Sequence, residues 1–127
     1  MIRVLIADDH PVVRSGLRQM FEPYADIVIT GEARTSAETI AMVGEQAYDV
    51  VILDLGLPEA GGMEALRAIK AKTPDLPVLI LSVHPEDELA IRMLRLGADG
   101  YITKGAGADV LIPAVRKVAR GGRFVSE

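Results

Sequence analysis

The chain has 127 residues, half of them hydrophobic but only 4% aromatic, so it has room for one aliphatic core and one domain. Its 14 basic and 18 acidic side chains leave a formal charge of −4, which gives no attraction to nucleic acid or an anionic bilayer, and the absence of cysteine excludes disulfides and thiolate metal sites. No stretch approaches the roughly 18 apolar residues of a membrane span, and MIRVLIADD turns acidic too soon for a signal peptide, so a cytoplasmic location is expected.

In chain order, IRVLIA (residues 2–7), IVIT (27–30), VVIL (50–53), VLILS (78–82) and GYIT (100–103) read as strands. Runs of valine and isoleucine that do not alternate with polar residues suit strands covered on both faces, as in a parallel sheet. Helical spacing fills the gaps. Val13, Leu17, Met20 and Phe21 make one stripe, followed by Ala37, Ile40, Ala41 and Gly44. Met63, Leu66 and Ile69 make a third, and Leu89, Met93 and Leu96 a fourth. Leu111, Ala114, Val115 and Val118 make the last. Pro11 suits a first helical turn, Ser36 can cap the second helix, and the acids of PEDE (residues 85–88) suit the start of the fourth. Gly97 can close the fourth helix in the left-handed region, and Gly121 and Gly122 end the fifth. The tail RFVSE is expected to add no further element. Five strand–helix units predict an α/β fold, a parallel sheet with right-handed crossovers and helices on both faces.

In such a fold, chemistry collects beyond the C-terminal ends of the strands. The first strand ends at Asp8 and Asp9, the third at Asp54 and the fourth at Ser82, and Lys104 follows the fifth. If those strands are neighbours, three carboxylates, a hydroxyl and an ammonium face one crevice. The carboxylates repel one another unless a hard dication such as Mg2+ sits among them. A carboxylate can attack phosphorus to give an aspartyl phosphate, and the transfer chiefly needs charge neutralised on the phosphoryl oxygens. A metal and Lys104 supply that charge, and Ser82 can donate to a third oxygen. Asp54, at the end of the middle strand, is the expected nucleophile.

The segments ADDHP, DLGLP followed by Gly62, LSVH and GYITK stand in the order and spacing of the receiver domain of two-component response regulators, which the chain resembles along almost its whole length. ADDHPVVRSGL and AVRKVARGGRFVS more narrowly resemble the NarL/FixJ type. The resemblance implies a five-stranded parallel sheet in the order 2-1-3-4-5, a flavodoxin-like doubly wound fold. It implies that Asp54 accepts a phosphoryl group from a histidine kinase. Asp9, Asp54 and the backbone carbonyl of Gly56 would ligate Mg2+, with Asp8 acting through water. Ser82 and Lys104 would bind phosphoryl oxygens, and Ser82 and Tyr101 would form a coupled switch that alters the surface of the fourth helix, fifth strand and fifth helix. It further implies homodimerisation on phosphorylation, and DNA contact only through a C-terminal helix-turn-helix domain outside this chain. Residues 1–121 are then the receiver, and 122–127 the start of a linker.

Four positions depart from the family pattern. Val83 is bulkier than usual after Ser82, Gly61 replaces an acid before Gly62, and Gly56 brings no side chain. Gly105 replaces the proline or acid common after Lys104, which puts a cis peptide there in doubt. None removes a group the chemistry needs. Simpler readings stand beside these. Tyr101 can be a half-buried strand aromatic with its hydroxyl in water. His10 and His84 are rim residues with no metal or catalytic role, and Arg92, Arg95, Arg116 and Lys117 are solvated faces. The alternative functions are a metal-dependent phosphohydrolase on the same scaffold and a receiver that only mediates protein contacts. The hydrolase reading wants an acid at the position held by Gly56.

Overall fold

The structure is a computed structural model describing residues 1–58, 61–83 and 88–125, with the side chains of residues 88, 89 and 125 left aside. Its elements are β1 (Ile2–Ala7), α1 (Pro11–Phe21), β2 (Ile27–Ala33), α2 (Ser36–Glu45), β3 (Val50–Asp54) and α3 (Gly61–Lys72). They continue with β4 (Val78–Ser82), α4 (Glu88–Arg95), β5 (Gly100–Thr103), α5 (Ala108–Ala119) and β6 (Phe124–Val125). The first five strands pair in parallel in the order 2-1-3-4-5, the flavodoxin-like arrangement expected. His84 and the acids at 86 and 87 lie outside the described residues. No described helix is long and apolar enough to cross a membrane.

The strands lack alternation because both faces are covered. Leu5, Val51, Leu53, Val78 and Ile80 pack toward α3 and α4 with Leu66, Ile69 and Met93. Their neighbours Val4, Ile6, Val50, Ile52 and Leu79 pack toward α1 and α5 with Leu17, Phe21, Leu111 and Val115. Each of the first five strands therefore contributes to two apolar clusters, which is why its run is largely aliphatic.

Several local expectations need correction. The tail does add an element: β6 pairs in parallel with β5, Gly100 opposite Phe124 and Tyr101 opposite Val125. The second strand runs on to Ala33, because a register shift between Val4 and Leu5 absorbs Thr30 as an extra residue. The second helix is capped by Thr35, not Ser36. The Thr35 hydroxyl accepts the Glu38 N–H at 3.0 Å, and Ser36 is the first helical residue, buried. That helix also turns a different face inward. Ser36 and Thr39 are buried and Met42 and Val43 pack on the core, whereas Ala37, Ala41 and Gly44 are exposed. Small residues carry little burial energy, so short hydroxyl side chains can take the inward positions.

Other boundaries fall where expected. Pro11 opens α1. Gly97 has φ 109°, and the bonds Gly97 N–H to Leu94 O and Ala98 N–H to Met93 O close α4 in a Schellman motif. Gly121 and Gly122 repeat that pattern behind α5, on Val118 and Lys117. Arg116 is not simply solvated: it makes two hydrogen bonds to Asp26, at 2.9 and 3.0 Å, and lies over the Tyr24 ring.

Candidate functional site

The order β1-β3-β4-β5 puts four C-terminal strand ends side by side. Ala7 pairs with Leu53, Asp54 with Leu81, and Ser82 with Thr103, so the residues that follow emerge at one level. Ligand atoms of Asp8, Asp9, His10 and Asp54 all lie within 4.8 Å of one another. The Lys104 ammonium is 3.1 Å from Asp8 Oδ2 and 3.2 Å from Asp54 Oδ2. A crevice of about 250 Å³ opens between His10, Asp54, Gly56, Ser82, Val83 and Lys104.

Electrostatically the site is unbalanced. Asp8 and Asp54 are only 2% and 4% exposed. With Asp9 they bring three negative charges against the single positive charge of Lys104, leaving two uncompensated. Burial works against the lysine's charge, but hydrogen bonding and Coulomb attraction from Asp8 and Asp54 outweigh it and raise its pKa above the ordinary value. Asp8 Oδ2 and Asp54 Oδ2 are buried and share only the Lys104 ammonium, and buried Asp9 Oδ1 meets only the His10 ring, so each oxygen has room for a further positive partner. A hard, oxygen-seeking dication matches both the charge deficit and these spare oxygens. The residues present therefore fit Mg2+.

The backbone orients the acids. Gly56 N–H donates to Asp54 Oδ1 at 3.0 Å, and His10 N–H donates to Asp8 Oδ1 at 2.9 Å. Gly62 lets α3 start against the Asp54 loop. A Cβ there would stand 2.5 Å from Asp54 O and 2.6 Å from Leu55 Cα, both backbone. Lys104 N–H donates to Ser82 O at 2.8 Å, tying the two strand ends together. The Lys104–Gly105 bond is trans, as no described peptide is cis.

Asp8, Asp9, Asp54, Ser82, Lys104 and Gly56 are thus brought together. Tyr101 is not in the crevice. It sits opposite Ile80 in β5, within the cluster on the α3 and α4 side, and it is wholly buried rather than half-exposed.

One contributor escaped the sequence reading. Arg14, one turn into α1, donates from Nη1 to the Asp8 carbonyl at 2.7 Å and from Nε to Glu32 Oε1 at 2.8 Å. Arg18 holds the other Glu32 oxygen. A basic residue one turn beyond an acid pair was the available signal, but its partner Glu32 lies in a strand extension that the composition hides. His10 stands at the crevice rim, as expected, with its side chain exposed. Its Nδ1 is 3.0 Å from Asp8 Oδ1 and 3.2 Å from Asp9 Oδ1.

Comparison with known proteins identifies the family and the fold. The profile of the response regulator receiver domain matches residues 4–116. The response regulator UvrY of Escherichia coli strain K12 is 37% identical over 126 residues, which is 99% of this chain and 58% of UvrY. GacA of Pseudomonas aeruginosa is 36% identical over 126 residues, 99% of this chain and 59% of GacA. The chain therefore spans less than two thirds of these relatives. Among solved structures, a LuxR-family two-component response regulator from Aurantimonas superposes with a TM-score of 0.92. It has 32% identity and coverage of 98% of this chain and 89% of that one. The isolated receiver domain of RcsB from Salmonella enterica, solved with the phosphomimetic BeF3−, gives 0.89 at 27% identity, covering 99% and 94%.

Proposed function

The chain belongs to the response regulator receiver domain family of two-component signalling, and from that premise we propose that it is a switch thrown by phosphorylation of Asp54. The observation that carries this reading is the meeting of three carboxylates and one lysine around the end of the central strand β3.

In this reading a histidine kinase supplies the phosphoryl group. A carboxylate oxygen of Asp54 attacks phosphorus, the bond from phosphorus to the kinase imidazole nitrogen breaks, and that nitrogen leaves with the electron pair. Gly56 N–H holds Asp54 Oδ1, which orients the attack. Lys104, already 3.2 Å from Asp54 Oδ2, moves with the charge onto a phosphoryl oxygen, and the Ser82 hydroxyl donates to another. Asp9, Asp54 and the Gly56 carbonyl would hold Mg2+, with Asp8 acting through water. The ion would neutralise charge on the phosphoryl oxygens. Val83, exposed at the crevice wall, limits the approach of water.

The added charge draws Ser82 and Lys104 toward Asp54, and Tyr101 behind Ser82 repacks, changing the surface of α4, β5 and α5. That surface would then favour a homodimer. Residues 1–121 form the receiver, and 122–127 begin the connection to a DNA-binding output domain, with β6 docking its start against β5. The support is that UvrY and GacA are longer response regulators, and that RcsB structures of 26% identity are described in terms of DNA interaction.

Acetyl phosphate with Mg2+ tests the reading. The native chain should gain the mass of one phosphoryl group, in an adduct labile to acid and base, and Asp54→Asn should gain none. A native chain that stays unmodified, or an Asp54→Asn variant modified as fast as native, would overturn it.

A further inference from the structure

His10 occupies the N-cap position of α1, yet its imidazole makes no cap hydrogen bond. It turns back over the acids instead. Nδ1 is 3.0 Å from Asp8 Oδ1 and 3.2 Å from Asp9 Oδ1, and the side chain is 60% exposed, so the ring can adjust without disturbing the core. In an octahedral sphere with bonds of about 2.1 Å, adjacent donor atoms lie about 3.0 Å apart. The edge from His10 Nδ1 to Asp9 Oδ1 is close to that length. In the same hollow Asp8 and Asp54 are more than nine-tenths buried, and their Oδ2 atoms share the single Lys104 ammonium, at 3.1 and 3.2 Å, which leaves the carboxylates short of positive charge.

We propose that His10 is a direct nitrogen ligand of the divalent cation in this crevice, giving a mixed oxygen–nitrogen site that favours later first-row ions such as Ni2+ over Mg2+ more strongly than an all-oxygen site would. Imidazole is a softer donor than carboxylate or water and suits nickel, copper and zinc. Mg2+ gains little from it. The inference rests on the cation site of the reading above and adds to it the class of ion the site selects. The same separations serve a hydrogen bond when the ring nitrogen carries its proton, and a shared cation when it offers its lone pair.

Calorimetric titration of the whole chain with MgCl2 and with NiCl2 decides the matter, in native protein, His10→Ala and Asp9→Asn. His10→Ala should lower Ni2+ affinity on the order of tenfold more than it lowers Mg2+ affinity. Asp9→Asn should weaken both ions, which places them in this crevice rather than at a histidine elsewhere. With Mn2+ bound, electron spin echo spectra should show a nitrogen coupling in native protein that His10→Ala loses. An unchanged Ni2+ to Mg2+ ratio in His10→Ala, no nitrogen coupling, or Ni2+ binding indifferent to Asp9→Asn would overturn the inference and leave the switch standing. Failure of native protein to bind either ion would overturn both.

Discussion

Asp8 and Asp54 face the same ammonium across 3.1 and 3.2 Å, and Asp9 stands beside them, so no single residue of the site is balanced by its neighbours alone. That imbalance was legible in the sequence. Adjacent aspartates at the end of an aliphatic run need a counter-charge, and Lys104 was the lysine at another strand end. Arg14 was not legible, and His10 was legible only as a rim residue. Each acts through a partner fixed by tertiary geometry, Arg14 through Glu32 and a backbone carbonyl, His10 through the rotation of its ring. Gly62 was legible only as part of a motif and proves to be a steric requirement. Its missing Cβ leaves room for the backbone of Asp54 and Leu55, and backbone cannot move aside as a flexible side chain can. Gly62→Ala should therefore cost about 1–3 kcal/mol in urea unfolding and slow phosphorylation of Asp54 by displacing its loop. Native-like stability together with native-like phosphorylation would show that the contact is not tight.

Elements were legible where their burial energy is aliphatic and local. The five strands and the stripes of α1, α3 and α5 follow from their own residues. The phase of α2 did not, because its inward positions are Ser36, Thr39, Met42 and Val43, and hydroxyl residues carry no hydrophobic signal. The cap moved by one residue for a related reason: Thr35 and Ser36 are chemically equivalent caps, and only the extended backbone at Thr35 selects it. A bond from the N–H of Arg34, just before the cap, to Glu38 Oε1 at 2.8 Å reinforces that choice. Thr35→Ala should lower stability by about 1 kcal/mol while Ser36→Ala costs clearly less, read from urea midpoints at constant slope. Equal losses would move the cap back to Ser36. β6 was invisible because two residues carry no periodicity. It exists through pairing with β5 after the Gly121 turn. Lys70 anchors the same, N-terminal end of β5, binding Asp99 at 2.7 Å and the Leu76 carbonyl at 2.8 Å.

At the scale of the molecule, a parallel sheet between two aliphatic clusters leaves its strand ends polar, and the site lies along the C-terminal edge. Ion pairs fasten the surrounding layer. Arg18 and then Arg14 hold the Glu32 carboxyl below its ordinary pKa, against the opposing effect of burial, and Arg3 and Arg116 lower Asp49 and Asp26 in the same sense. A depressed carboxyl pKa contributes stability that is present above the unfolded value and lost as pH falls through the folded one. Stability should therefore decline from about pH 4.3 downward, and Glu32→Gln should make that decline shallower. An unchanged acid slope in Glu32→Gln would remove the clamp from the account. The claim on which the rest depends is that this edge makes Asp54 a phosphoryl acceptor. Borohydride reduction of the adduct formed with acetyl phosphate, followed by peptide mapping, reads this directly, since an aspartyl phosphate is reduced to homoserine. The account predicts homoserine at position 54 and nowhere else; homoserine at Asp8 or Asp9, or none in a chain that had gained the phosphoryl mass, would contradict it.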